Sequence, residues 1–281
     1  MSAWHGSLQL DYRAQSLRGQ PRTVLHDLHD GPLRVLASLY PEGPSVCHNV
    51  LVHPPGGLVG GDELAVRVTL APHCHALITT PGATRCYRTT GAAARQTVRA
   101  TLAPGARLEW LPLETIAYSG CIAENHLQFE LQPGAEMIGW DVLALGLPAS
   151  GLAFERGRYT QSIELPGLWL ERGHIDSQDL RLLESPLGWA GHRVMATLWF
   201  ACGQAMAPAR RDGLLEAARQ AGVGDPLQRL CGATALRDRV VVLRVLAPRV
   251  EPAMAVLTRA WAAWRSLGWD LEARAPRVWR T

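Results

Sequence analysis

Three stretches of this 281-residue chain share one form: Val68-Thr69-Leu70-Ala71-Pro72-His73, Ala100-Thr101-Leu102-Ala103-Pro104-Gly105 and Phe129-Glu130-Leu131-Gln132-Pro133-Gly134. Ile163-Glu164-Leu165-Pro166-Gly167 resembles them, and the four prolines fall 32, 29 and 33 residues apart. Proline presets one turn dihedral and glycine supplies a positive one, so each stretch reads as a strand ending in a tight turn. A second strand follows each time, at His75–Thr80, Arg107–Leu111, Glu136–Val142 and Leu168–Glu171. Such a period suggests stacked layers of sheet, as in a β-solenoid. A long antiparallel sandwich with repeated Pro-Gly hairpins reads the same way, and the sequence leaves both open.

Outward from the repeat, Ser7 to about Arg172 continues as short apolar or alternating runs, the pattern of strands. The last third changes character. A strand at Arg193–Phe200 leads to a helix near Ala209–Ala221, stopped by Gly222 and Gly224. Strands are expected at Leu230–Leu236 and Val240–Leu246, then a helix starting at Glu251-Pro252 with Met254, Leu257, Trp261 and Trp264 on a buried face. A final strand is expected at 276–281. The fold class is mainly β: a stacked-sheet body over residues 1–190, and an α+β part with two C-terminal helices over 191–281, packed on it as one continuous domain.

Composition narrows the function. All 28 basic residues are arginine. The chain therefore has no Walker A lysine, no Schiff-base lysine and no kinase-type lysine. Gly56–Asp62 is glycine-rich but lacks the dinucleotide spacing, and no nucleophile-elbow G-x-S-x-G occurs. Residues 1–206 carry net −3 and residues 207–281 net +6. The arginines of that basic end are scattered without stacking aromatics, so no nucleic-acid partner is expected. Apolar runs are too short for a membrane span, Met1–His5 lacks a secretory pattern, and the six cysteines form no C-x-x-C pair. A cytoplasmic protein is expected.

Four acids sit in contexts that do not favour them: Asp62 after the glycine run, Glu114 after Trp110-Leu111-Pro112-Leu113, Asp141 within Met137–Leu145, and Glu155 between Phe154 and Arg156. A buried carboxylate needs a hydrogen-bond, cationic or metal partner, or backbone amides at a turn. His73-Cys74-His75 would place two imidazoles on one strand face, with His48, His53 and His126 as further donors. Imidazole and carboxylate suit nickel, copper, zinc and iron. No spacing demands a closed cage. A β-rich His/carboxylate metal-dependent hydrolase or a cupin-like enzyme is the rival reading, and it requires three or more converging ligands.

Resemblance goes further than spacing. Gly60-Gly61-Asp62, Thr79-Thr80-Pro81-Gly82-Ala83-Thr84-Arg85-Cys86-Tyr87-Arg88, Leu108–Thr115, Gly139–Ala149 and Pro276–Thr281 resemble, in order, signature stretches of the urease accessory protein family UreD, also called UreH. The Thr-Thr-Pro-Gly-Ala-Thr block is the most specific, and the motif residues carried over are Thr80, Pro81, Gly82, Thr84, Arg85, Tyr87 and Arg88. Arg85 stands where the family usually has lysine, which keeps the charge. Leu152 replaces an expected acid, which weakens the case for a metal-contacting carboxylate in that loop, Glu155 included.

The resemblance implies a scaffold rather than an enzyme. Its expected partners are apo-urease, UreF and, through UreF, the GTPase UreG. Nickel(II) would pass transiently along an internal path, with no tightly bound cofactor. Candidate path residues are Asp62, Glu114, Asp141, Glu155, His73 and His75. Ion conduits need weak, exchangeable contacts of this kind.

Overall fold

The computed structural model describes residues 3–280. Its first strands are β1 (His5–Leu17), β2 (Gln20–Asp30), β3 (Arg34–Val35), β4 (Val46–Val52), β5 (Glu63–Leu70) and β6 (His75–Thr79). The middle of the chain gives β7 (Thr84–Cys86), β8 (Ala94–Leu102), β9 (Arg107–Leu111), β10 (Thr115–Ala117), β11 (Cys121–Leu131) and β12 (Glu136–Leu145). After these come β13 (Gly157–Leu165), β14 (Trp169–Asp176), α1 (Leu180–Glu184), β15 (Val194–Cys202) and α2 (Pro208–Gln220). The chain closes with β16 (Cys231–Leu236), β17 (Val240–Ala247) and α3 (Val250–Trp269).

Two sheets stack face to face. The first runs β14-β13-β11-β8-β5-β1-β2. The second runs β16-β17-β15-β12-β9-β6-β4-β3, with β10 joining β12 to β7. From β5 to β13 the chain alternates between sheets, and like-placed strands of successive coils pair in parallel. This is the solenoid arrangement of the two left open. Pro72, Pro104 and Pro133 mark corners where the chain passes from the first sheet to the second. The corners stack: the Gly105 amide donates to the Gly134 carbonyl at 3.2 Å, and the His73 amide to that of Pro104 at 3.3 Å. A Cβ on Gly105 would meet the His73 ring at 2.4 Å, so the close stack requires glycine there.

The fourth repeat behaves differently. Pro166-Gly167 closes an antiparallel hairpin of β13 and β14 within the first sheet. The expected strand at 276–281 is also corrected: Arg277–Arg280 form a 3-10 turn, and Thr281 lies outside the described residues. There the Trp279 ring lies tilted against Trp140 and edge-on to Trp261, and its Nε1 donates to Thr79 at 2.8 Å. Packing of the aromatic, not strand pairing, holds this segment.

Two apolar cores flank the second sheet. Between the sheets, inward residues of β5 and β8 such as Val68, Leu70 and Leu102 meet Ala76, Leu108 and Trp110. Strict alternation along Glu63–Leu70 produces this, with every second residue buried. On the opposite face α2 and α3 cover Ile138, Trp140, Phe200 and Leu243 with Leu214, Leu257, Trp261 and Trp264. Each such buried side chain contributes roughly 1.5–3 kcal/mol. Because β12 pairs with β15, one sheet continues across residue 190.

Candidate functional site

β12 is apolar on both faces because both are covered. Its alternation sends Ile138, Trp140 and Val142 under the helices, and Met137 and Asp141 toward the first sheet. Asp141 lines an inter-sheet cavity of about 270 Å³, together with His53, Gln96, Trp110, Thr115 and Asn125. Its carboxylate accepts Asn125 Nδ2 at 3.0 Å and Gln161 Nε2 on the other oxygen. No cation pairs with it among the described residues. Burial pushes its pKa up to about 7, against the pull of the Gln161 bond.

Two further polar atoms lie buried here without a hydrogen-bond partner among the described residues, His53 Nε2 and Trp110 Nε1. Burial lowers the pKa of His53, partly countered by Asp62, so the imidazole is neutral at pH 7 and offers a nitrogen lone pair. The cavity thus holds a carboxylate, amide and hydroxyl oxygens and an imidazole, all able to contact a cation loosely. Among the described residues no three His, Cys, Asp or Glu side chains converge as a cage.

The other expected path residues lie elsewhere. Asp62 is buried, but it caps a turn: one oxygen accepts the Trp4 amide at 2.9 Å and the other the Val59 amide at 2.8 Å. Leu113 and Thr115 line the cavity and Glu114 does not. Burial raises the Glu114 pKa, and Glu251 in the first turn of α3 adds to it. Glu155 is exposed on a loop. His73 is an exposed corner residue with φ of 61°, so it does not share a strand face with His75. His75 lies on the helix side of the second sheet, its Nε2 2.8 Å from Glu109 Oε1. Of the six, Asp141 alone lines the cavity.

A family model described as UreD urease accessory protein matches residues 5–280. This chain belongs to the UreD family. The urease accessory protein UreD of Leptothrix cholodnii is 62% identical over 280 residues, spanning 99% of this chain and 100% of that protein. Those of Paracidovorax citrulli and Variovorax paradoxus are 59% and 58% identical over 276 and 279 residues, spanning 98% and 99% of this chain and 99% and 100% of their own. As a UreD protein the chain is an accessory factor in urease maturation rather than an enzyme.

The UreD motif forms one wall of the cavity. Thr80 through Arg85 line it, and the exposed Pro81 and Gly82 lie at its rim. Thr80 Oγ1 accepts the Leu113 amide at 2.9 Å and donates to the Gly82 carbonyl at 3.0 Å, which fixes the loop. The glycine run 56–61 packs against the motif. The Leu58 amide donates to the Arg85 carbonyl and the Tyr87 amide to that of Leu58. A Cβ on Gly57 would fall 2.4 Å from the Tyr87 ring. Tyr87 itself stacks on Tyr118 at 5.1 Å.

The partners of Asp141 went unread in the sequence. Asn125 and Gln161 each interrupt an inward-facing apolar row, Ala123-Asn125-Leu127 and Tyr159-Gln161-Ile163, and that break in parity was the available signal. Glu109 and Arg265 were missed as well. They form a buried ion pair beneath α3.

Proposed function

We propose that this UreD-family protein carries nickel(II) to apo-urease through the inter-sheet cavity, while bridging urease to UreF and, through it, to the GTPase UreG. One observation carries this reading: Asp141, buried and without a cationic partner, lines a cavity furnished with neutral oxygen and nitrogen donors. A lone carboxylate in such a place attracts a divalent cation, and the scarcity of strong ligands lets the ion leave again. The neutral His53 imidazole and the amide oxygens serve as passing ligands or hold the ion's waters. Since the chain has no phosphate-binding lysine, GTP hydrolysis falls to a partner.

The test is urease activation in cells expressing Asp141→Ala, with nickel content and partner co-purification measured on the same samples. Reduced nickel loading with intact co-purification is expected, and a His53→Ala, Asp141→Ala double variant should nearly abolish loading. Normal loading in the double variant would sink the conduit. Loss of co-purification would instead make Asp141 a structural residue.

A further inference from the structure

A second feature lies on the surface, away from the cavity lining. A groove of about 780 Å³ is formed by Arg88–Thr90 after β7, Arg156–Arg158 entering β13, and Asp176–Gln178 at the end of β14. Three arginines line it, Arg88, Arg156 and Arg158, against a single acid, Asp176. All three arginines are exposed, and among the described residues none of their side chains has a hydrogen-bond or ion-pair partner. Arg158 and Asp176 are cross-strand neighbours, yet Asp176 accepts the Gln178 amide at 2.9 Å and pairs with no arginine. Among the described residues Arg95, Arg193, Arg210, Arg244 and Arg259 find acids, whereas the exposed Arg67, Arg99 and Arg172, like these three, do not; what sets the groove apart is that three such arginines line one recess.

The groove is rigidly built. The Glu155 and Arg156 amides both donate to Ser119 Oγ at 3.2 Å, and the Gly120 amide donates to the Arg156 carbonyl. Gln178 Nε2 reaches the Glu155 carbonyl at 3.0 Å, and the Ser177 amide that of Gly157 at 3.1 Å. The Arg88 stem crosses Gly120 so closely that a Cβ there would meet its Cγ at 2.7 Å. Three exposed arginines against one acid leave the groove with a net positive charge that an outside acid would offset.

We infer that this groove docks an acidic segment of a partner polypeptide, whose Asp or Glu carboxylates pair with Arg88, Arg156 and Arg158. The fork of a guanidinium matches a carboxylate in two-point contact. The amides of Thr89, Gly120, Glu155, Arg156 and Ser177 are already spent on the protein's own carbonyls and hydroxyls, and that of Gln178 on Asp176, which leaves no row of free N–H groups of the kind that favours a free phosphate. Exposed Leu180, two residues past Gln178, and exposed Leu152, three before Glu155, add apolar surface suited to a polypeptide. The inference rests on the reading of this chain as a partner-binding accessory protein. It does not depend on the cavity carrying nickel.

The full chain is compared with an Arg88→Glu, Arg156→Glu, Arg158→Glu triple variant and with the corresponding triple lysine variant. Each is co-expressed with urease and the other urease accessory proteins, and each purified protein is titrated with a fluorescent polyglutamate peptide and with inorganic tripolyphosphate. The wild type should bind the peptide, more weakly as salt rises. The glutamate variant should lose the peptide and about tenfold or more in recovery of one identified partner, with unchanged circular dichroism. The lysine variant should keep most of both. Full recovery of every partner by the glutamate variant overturns the inference. So does tripolyphosphate binding without peptide binding by the wild type, which would make this a small-anion site. Either result leaves the nickel reading standing, because that reading is decided by loading and co-purification in the cavity variants.

Discussion

Arg265 and Glu109, 156 residues apart in the chain, meet at 3.1 Å with neither exposed to solvent. Glu109 also accepts Trp261 Nε1 at 2.6 Å and bonds His75, while Arg265 reaches on to Glu42, which bonds His48 Nε2 at 2.6 Å. Burial works to raise the Glu42 pKa, but His48 and Arg265 outweigh it and hold it below the ordinary value. The network ties α3 to β9, β6 and β4 at once.

Removing one member of this network strands the others. Arg265→Leu is expected to cost about 3–5 kcal/mol, mostly from leaving the buried Glu109 and Glu42 without their shared guanidinium. Urea denaturation of the variant measures it. A loss under 1 kcal/mol, about the worth of a surface pair, would show that Glu109 simply takes up a proton.

Trp264 tests the packing of the same helix without the charges. It is fully buried, edge-on to Phe200, with its Nε1 2.8 Å from the Leu214 carbonyl. Trp264→Ala is expected to cost on the order of 3–5 kcal/mol, with soluble protein and partner complexes declining together. A variant that stays folded and fails only in nickel transfer would contradict this core assignment.

Asp62 and Asp141 are both buried acids, yet their losses should separate. Asp62→Ala leaves two turn amides unpaired and should destabilise by roughly 1–3 kcal/mol while nickel loading follows the amount of folded protein. Asp141→Ala should reduce loading per folded molecule. Thermal denaturation and nickel content of urease, measured together, decide it; equal effects on both readouts would unite the two residues in one role.

The raised pKa of Asp141 makes stability depend on pH in a definite sense. The folded value near 7 exceeds the unfolded 3.8, so between them the folded chain holds the extra proton. Its contribution is fully present below the unfolded value and is lost as pH rises through the folded one. Relative to wild type, Asp141→Asn should therefore gain on the order of 2–3 kcal/mol between about pH 5 and pH 8. Asn125 and Gln161 can turn their amides to suit the new side chain. Parallel pH profiles in urea denaturation would rule the shift out.

The sequence by itself determined the repeat, the strands on either side of Pro72, Pro104 and Pro133, the two long helices and the buried face of Trp261 and Trp264. These are local matters: turn dihedrals, side-chain alternation and helical spacing act within a few residues. Tertiary structure alone decided that three prolines turn solenoid corners while Pro166 closes a hairpin, because each choice depends on which distant strand is free to pair. It also decided the fate of the polar residues. Glu109 and Asp141 stand on neighbouring strands of one sheet, but opposite parity sends one beneath α3 to Arg265 and the other into the cavity between sheets. Asp62 found backbone amides from Trp4 and Val59. A carboxylate's role follows from what lies across from it, and that neighbour comes from a part of the chain whose position only the packed sheets define.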